Sequence, residues 1–206
     1  MAGGMALRLK ERFFDELASA WDSLAAPPAP DLLHRLLSVL RIREGDRVLD
    51  VGSGTGSLIP HLAGFGPAEI IACDLSREML KRSAAKHSRL AAVTFLRTDA
   101  RRLPLPDATV DAIVCNGVYP HFEDRRGTLE ELHRVAAPGA RLAICHFGGR
   151  AFVNRIHSSS PCTAIRNDLL EPAAEVADLV RAAGFEVTEA WETENFYLVA
   201  GVKNHG

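Results

Sequence analysis

Three carboxylates and one carboxamide stand at the ends of successive predicted strands. They are Asp50, Asp74, Asp99 and Asn116, and they are separated by 24, 25 and 17 residues. Each separation is about the length of one strand–helix unit. In an open α/β sheet, ligands bind outside the carboxyl ends of the strands. The spacing therefore predicts that all four side chains line one ligand site.

A glycine loop follows Asp50 directly and reads Gly52-Ser53-Gly54-Thr55-Gly56. Glycine has no Cβ and tolerates a positive φ, so this loop can bring its backbone close to a ligand. The helix behind it adds free N–H groups. Its spacing is not the G-x-G-x-x-G of a dinucleotide site. A carboxylate before the loop would repel a pyrophosphate and attract an ammonium group, which indicates a cationic nucleoside without phosphate.

The other strand ends suit an adenosyl group. An acid after the second strand, Asp74, can accept hydrogen bonds from both ribose hydroxyls. Asp99 can accept from an adenine amino group, while the Ala100 N–H donates to a ring nitrogen. The residues expected to cover the faces of the base and to complete the site are Leu75, Met79, Asn116, Gly117 and Val118.

These motifs together resemble the class I S-adenosylmethionine-dependent methyltransferases. The matching stretches are Val48–Gly56, Asp74, Thr98–Ala100, Leu103–Asp107 and Leu132–Leu142. The nearest branch is methyltransferase type 11, which is similar to the ubiquinone and menaquinone biosynthesis enzymes. The resemblance extends over residues 13 to 202.

The resemblance implies a three-layer α/β/α Rossmann-like fold. Its seven-stranded sheet would have the order 3-2-1-4-5-7-6 with strand seven antiparallel. It also implies S-adenosylmethionine as methyl donor and S-adenosylhomocysteine as product. The Asp50 loop would hold the methionine portion, Asp74 the ribose, and Asp99 with Ala100 the adenine. The run Asn116–Phe122 departs from the quinone enzymes, which leaves the acceptor open.

Strands and helices alternate along the chain, which favours a mostly parallel sheet with helices on both faces. We expect a helical cap at residues 1–40 and a cofactor-binding domain at residues 41–206, with a lid-like insertion at about 148–170. An amphipathic helix is predicted over Phe13–Asp22. Asp31 and Ser76 are the expected N-caps of two further helices. Strand five is predicted over Arg141–His146.

Three side chains near the predicted methyl position are candidate catalytic groups: Tyr119 and His121 after strand four, and His146 at the end of strand five. Methyl transfer from a sulfonium is an in-line displacement, so alignment and desolvation supply much of the rate. A general base is needed only if the acceptor must lose a proton. The alternative for His121 is a hydrogen-bonded loop histidine without a chemical role.

Six further side chains are candidate substrate contacts: Phe14, Trp21, Phe122, Arg150, Asn154 and His157. Phe14 and Trp21 could close over a ligand or pack only as a cap. Arg150, Asn154 and His157 are spaced i, i+4, i+7 and share one face of a short predicted helix. The alternative is that Arg150 and Asn154 are solvated and His157 caps the helix end.

Composition excludes several classes of partner. The 206 residues carry a formal net charge of −2, which gives no field to attract nucleic acid. No apolar run approaches the length of a membrane span. The four cysteines form no CxxC pair, so we expect free thiols, a cytoplasmic location and no metal. The open alternatives are a thiol, metalloid or corrinoid-linked acceptor, or a non-catalytic nucleoside-binding module. Whether the chain is a monomer or a homodimer is also open.

Overall fold

The computed structural model describes residues 2–24 and 27–205, and within them seven strands form one sheet. The strand order is β3-β2-β1-β4-β5-β7-β6. β7 is antiparallel to both of its neighbours, and the other strand pairs are parallel. The predicted fold class, strand order and antiparallel strand are confirmed. The strands are β1 Arg47–Val51, β2 Glu69–Asp74, β3 Val93–Arg97, β4 Val110–Asn116, β5 Ala136–His146, β6 Phe185–Glu192 and β7 Tyr197–Lys203.

Helices flank the sheet on both faces. They are α1 Ala2–Leu17, α2 Trp21–Leu24, α3 Pro30–Leu40, α4 Ile59–Ala63, α5 Arg77–Lys86, α6 Arg125–Val135, α7 Arg150–Ser158, α8 Thr163–Arg166 and α9 Ala173–Ala182, with a 3-10 helix at Tyr119–His121. None of the helices in the described ranges is long and apolar enough to cross a membrane.

Side-chain alternation along the strands builds two apolar layers. On β1, Leu49 and Val51 face the layer closed by α6 and α9, whereas Val48 faces the layer closed by α3 and α4. Fully burying one large apolar side chain contributes about 1.5–3 kcal/mol. Leu36 and Leu40 of α3 are completely buried in the second layer. The last helix of the expected cap therefore packs as part of the sheet domain.

Two helix starts test the expected caps. The Ser76 hydroxyl accepts the Met79 N–H at 3.1 Å, so its predicted capping of α5 is confirmed. The prediction for Asp31 was wrong. Helix α3 begins at Pro30 after Ala29, without a side-chain cap, and Asp31 lies inside the first turn. Proline suits the first helical position because its φ is already helical and its missing N–H needs no partner there.

The N-terminal segment and strand five also differ from expectation. The predicted Phe13–Asp22 helix is broken by a turn at residues 18–20, in which the Ala20 N–H donates to the Leu17 carbonyl at 2.9 Å. β5 starts at Ala136 rather than Arg141 because its pairing with β4 shifts register within its first residues. Residues 1, 25 and 26 of the expected cap, and residue 206, lie outside the described residues.

Candidate functional site

The glycine loop after β1 needs glycine for steric reasons. Its three glycines have φ values of +65°, +56° and +81°. A Cβ at Gly52 would lie 2.4 Å from Cγ2 of Val118, and a Cβ at Gly56 would lie 2.3 Å from Oγ of Ser83. The loop is therefore enclosed by Val118, just after β4, and by α5. This confinement fixes the path of the backbone that would meet a ligand.

Asp50 and Asp74 end neighbouring strands, but their surroundings differ. Asp74 accepts the N–H groups of Gly54 and Ser76, each at 2.8 Å. Asp50 is only 2% exposed, and its Oδ2 has no hydrogen-bond partner among the described residues. Burial, followed by the negative charge of Asp74, raises the pKa of Asp50 to about 7. A buried carboxylate without a partner is costly, and a cationic ligand would stabilise it.

The remaining strand-end residues lie beside this pair. Asp99 holds Arg101, with 2.6 Å between Oδ2 and Nη2, so a ligand amino group must share its carboxylate. The Asn116 side-chain oxygen accepts from the Cys145 thiol at 3.6 Å. Gly117 is exposed and has a φ of +72°. The apolar residues expected around the base divide into the buried Met79 and the partly exposed Leu75, Ala100 and Val118.

Helices α1 and α2, the N-terminal cap, are tied to the glycine loop and to the start of α5 by two acids that the sequence interpretation missed. Asp15 accepts the Ser76 hydroxyl at 2.5 Å. Asp22 accepts the Thr55 hydroxyl at 2.5 Å and pairs with Lys86 at 2.9 Å. Neither acid follows a strand or a turn motif, so no sequence pattern distinguishes it from an ordinary surface acid.

The aromatic side chains of the cap connect the glycine loop to the segment after β4. Nε1 of Trp21 would lie 3.8 Å from a Cβ at Gly54. The Phe14 ring packs edge-to-face on Trp21 at 5.9 Å and on His121 at 5.1 Å between centroids. The turn at residues 18–20 makes this arrangement possible because it redirects the chain between Phe14 and Trp21.

His121 stands in a polar cluster. Its Nδ1 lies 2.7 Å from Oδ2 of Asp168. The ammonium of Lys10, on α1, lies 2.8 Å from Oδ1 of Asp168 and 2.5 Å from a carboxylate oxygen of Glu123. The His157 ring is 4.8 Å from the His121 ring. His121 is thus the point at which four elements meet: its own 3-10 helix, α1, α7 and the loop after α8.

The other two candidate catalytic groups are less suited to taking a proton. Burial lowers the pKa of His146 to about 3, with the neighbouring His121 and His157 adding to the effect. Burial also raises the pKa of the Tyr119 hydroxyl. At neutral pH His146 is a weak base, and Tyr119 keeps its proton. Among the three candidates, His121 is the one with a carboxylate partner.

Three of the candidate substrate contacts have partners within the fold. Phe122 is buried against Tyr119 in the first apolar layer. Arg150 pairs with Glu192 at 3.0 Å. Asn154 donates to the Leu170 carbonyl at 3.0 Å and accepts the Leu170 N–H at 2.7 Å. Arg150 therefore fastens the lid-like insertion to β6, whereas Asn154 joins the two ends of the insertion to each other.

Phe14, Trp21 and His157 are the candidate substrate contacts that the structure brings near His121. The sequence interpretation missed Lys10 and Asp168 in this cluster. Lys10 lies four residues before Phe14 on the same face of α1 and is 4% exposed. A lysine within an apolar helical face is a signal that could have found it. Asp168 follows α8 in an irregular loop and gives no such signal.

Comparison with known proteins agrees with this geometry. A family model described as a methyltransferase domain matches residues 49–144. A demethylmenaquinone methyltransferase of Thermus thermophilus is 38% identical over 135 residues, covering 58% of this chain and 61% of the relative. An O-methyltransferase of Penicillium expansum is 30% identical over 167 residues, covering 77% and 59%. The chain spans about three fifths of the length of these curated relatives.

A solved structure extends the match to nearly the whole fold. The crystal structure of an S-adenosylmethionine-dependent methyltransferase from Aquifex aeolicus superposes with a TM-score of 0.70 at 26% identity. The match covers 90% of this chain and 97% of that one. The chain is therefore similar to S-adenosylmethionine-dependent methyltransferases in fold over nearly its whole length and in sequence over residues 49–144.

The residues of the site fit S-adenosylmethionine, the methyl donor of such methyltransferases. S-adenosylmethionine carries a positive sulfonium and an ammonium group and has no phosphate. The unpartnered carboxylate of Asp50 offers a buried negative charge beside the loop. Asp74 already accepts backbone N–H groups at the end of β2, where a ribose acceptor is expected.

Replacing Gly52 with alanine is expected to weaken binding of S-adenosylhomocysteine more than 10-fold, because the new Cβ would strike Val118 and displace the loop. The free energy of unfolding should fall by about 1–3 kcal/mol. Calorimetric titration and thermal unfolding measure both effects. Gly45→Ala is the matched control, since Gly45 has a φ of +84° but no atom within 4 Å of its Cβ position. Equal effects from the two variants would show that φ strain, not the Val118 contact, is responsible.

Proposed function

We propose that this chain transfers the methyl group of S-adenosylmethionine to a small-molecule acceptor that carries a hydroxyl group. The observation that carries this proposal is the buried, unpartnered carboxylate of Asp50 directly before the glycine loop. A phosphate-bearing dinucleotide would bring negative charge to that carboxylate. A sulfonium nucleoside with an ammonium group would neutralise it.

The proposed donor site divides between strand ends. Asp50 and the loop hold the methionine portion, Asp74 holds the ribose, and Asp99 with the Ala100 N–H holds the adenine. The full proposed set is Asp50, Gly52, Ser53, Gly54, Thr55, Gly56, Asp74, Leu75, Met79, Asp99, Ala100, Asn116, Gly117 and Val118. The Ser53 hydroxyl is buried and without a partner among the described residues, so it is an additional polar group available to the donor.

The proposed acceptor site lies under the aromatic part of the cap. Phe14 and Trp21 offer ring faces and edges next to His121, which suits a flat acceptor. One relative of this chain is named for a ring compound, a demethylmenaquinone, and another is named as an O-methyltransferase, and the second name supports an oxygen acceptor. His121 is the proposed proton acceptor. Tyr119 and His146 are proposed to shape the pocket wall.

Two measurements test the function. Titration calorimetry with S-adenosylhomocysteine and with NAD should show binding of the first alone. Radiolabelled methyl transfer should then be measured with catechol, a reduced naphthoquinone and a small thiol as separate acceptors. Transfer to a hydroxylated ring supports the proposal, whereas transfer to the thiol alone indicates the thiol-type alternative. Binding without transfer to any acceptor would indicate a nucleoside-binding module, and binding of NAD would refute the reading of Asp50.

Replacing Asp74 with alanine is expected to weaken S-adenosylhomocysteine binding by about 1–3 kcal/mol, because the ribose hydroxyls lose a charged acceptor. The variant also loses the bonds to Gly54 and Ser76, so thermal unfolding should be recorded beside the titration. Asp111→Ala is a suitable control, since Asp111 accepts the Arg47 N–H at 2.8 Å near the amino ends of β1 and β4, opposite to the proposed site. Unchanged affinity in Asp74→Ala would remove this residue from the site.

A further inference from the structure

We propose that Asp168 positions His121 as the general base that takes the proton of a hydroxyl acceptor during methyl transfer. The inference rests on the proposed function and adds to it a positioning residue and a class of acceptor atom. A general base serves an acceptor that must lose a proton, and the hydroxyl group of the proposed function is such an acceptor.

The geometry around Asp168 fixes the tautomer of His121. Nδ1 of His121 is 2.7 Å from Oδ2 of Asp168, and the two side chains are 13% and 9% exposed. The second oxygen of Asp168 accepts from Lys10 at 2.8 Å. An ionised carboxylate only accepts hydrogen bonds, so the proton of the neutral imidazole resides on Nδ1. Nε2 then carries the free lone pair.

Backbone contacts hold the same two residues in place. Nζ of Lys10 donates to the His121 carbonyl at 3.1 Å. Nδ1 of His157 contacts the Asp168 carbonyl. The carboxylate and the imidazole are therefore fixed from α1 and α7 as well as by each other. This arrangement resembles a positioned base more than a solvated surface histidine.

The placement of His121 puts its ring next to the proposed acceptor. The 3-10 helix that carries it follows β4, and β4 lies beside β1 in the sheet. Phe14 contacts both the His121 ring and Trp21, whose indole reaches Gly54. The same aromatic surface thus runs from the donor loop to the base. Among the described residues, Nδ1 of His121 is bonded to Asp168 and Nε2 has no hydrogen-bond partner.

The proposed step balances in protons and electrons. The acceptor O–H bond breaks and its proton passes to Nε2 of His121. The oxygen lone pair forms the new bond to the methyl carbon, and the carbon–sulfur bond breaks with its electron pair left on sulfur. Asp168 stabilises the imidazolium that results. Burial lowers the pKa of His121, and the hydrogen bond and charge of Asp168 oppose that shift. The ring is therefore neutral before the reaction, and the same carboxylate stabilises the imidazolium that forms.

Nitrogen NMR of ¹⁵N-histidine-labelled protein tests the positioning role without any acceptor. The wild-type protein should show His121 with a protonated Nδ1 and an unprotonated Nε2. In Asp168→Asn the pKa of His121 should fall further, because the carboxylate charge is lost while Lys10, His157 and His146 still face the ring. His121→Gln identifies the signal. An unchanged tautomer and pKa in Asp168→Asn would overturn the proposal.

Turnover with catechol as the probe tests the chemical role. In Asp168→Asn, kcat should fall about 10²-fold with little change in KM or in S-adenosylhomocysteine affinity. Asp168→Glu should recover part of the rate. Glu123→Gln removes the other carboxylate on Lys10 but keeps Asp168, so it should lose much less kcat than Asp168→Asn does.

The outcomes separate the two proposals. Equal losses in Asp168→Asn and Glu123→Gln would show that both acids act only by fastening Lys10 and the cap, and would overturn the positioning role. If wild-type protein binds S-adenosylhomocysteine and transfers methyl groups but Asp168→Asn is unaffected, this inference alone fails. If wild-type protein does not bind S-adenosylhomocysteine, the proposed function itself fails. If catechol is not methylated, the NMR result decides.

Discussion

Replacing Asp50 with asparagine is expected to make the free protein more stable while removing most of its affinity for the methyl donor. Burial and the charge of Asp74 raise the pKa of Asp50 to about 7, whereas an unfolded aspartate has a pKa of about 4. The folded state therefore binds the proton more tightly than the unfolded state. Stability from this group is greatest below about pH 4 and falls until the carboxylate is ionised above about pH 7.

The stabilising effect of Asp50→Asn should appear at pH 8, where the wild-type carboxylate is ionised and unpartnered. We expect a gain of about 1–3 kcal/mol in the free energy of unfolding. The gain should shrink toward pH 5, where the wild-type group is neutral. Denaturant unfolding at both pH values measures the difference. Asp178→Asn is the control, because Asp178 is 77% exposed and pairs only with Arg181 on the surface of α9.

Ligand binding should respond to pH in the opposite direction. The ammonium group of S-adenosylhomocysteine would stabilise the ionised form of Asp50, so wild-type affinity for this ligand should rise as the pH increases through about 7. Asp50→Asn should bind about 10–100-fold more weakly at pH 8, with little pH dependence. A variant that loses stability at pH 8, or that binds the ligand as well as wild type does, would contradict this role for Asp50.

Replacing His121 with glutamine is expected to lower kcat by about 10²–10⁴-fold, because the variant has no group that can accept the acceptor proton. Affinity for S-adenosylhomocysteine should change by less than about twofold, since His121 is not among the proposed donor-binding residues. Steady-state kinetics of methyl transfer, with an acceptor identified in the radiolabel assay, measure kcat. Calorimetric titration measures the affinity for S-adenosylhomocysteine.

The pH profile adds a readout that a purely structural role of His121 would not change. The acid limb of the wild-type profile should disappear in His121→Gln, because the limb reports protonation of the imidazole. His34→Gln on the exposed face of α3 is the matched control and should keep both rate and profile. A retained acid limb in His121→Gln would assign the titrating group elsewhere.

The N-terminal cap shows where local patterns stop being sufficient. Apolar spacing correctly indicated a helix ahead of the sheet domain, but the break at residues 18–20 depends on contacts that form only in the folded chain. Asp15 and Asp22 meet hydroxyls of Ser76 and Thr55, which lie 61 and 33 residues away along the chain. These bonds place the cap on the glycine loop and on the start of α5. Helical periodicity carries no information about them.

The sequence by itself determined the alternation of strands and helices and the strand-end positions of Asp50, Asp74, Asp99 and the glycine loop, whereas the strand order came from the resemblance to a known family. The strand-end positions follow from short-range rules, since alternation defines each strand and parallel strands bring their carboxyl ends to one side of the sheet. Only the tertiary structure decided that Asp50 is left without a partner and that His121 is held by Asp168 and Lys10. Asp168 is 47 residues from His121, and Lys10 is 158 residues from Asp168. Contacts between such distant segments depend on how whole helices pack, which residue spacing along the chain does not encode.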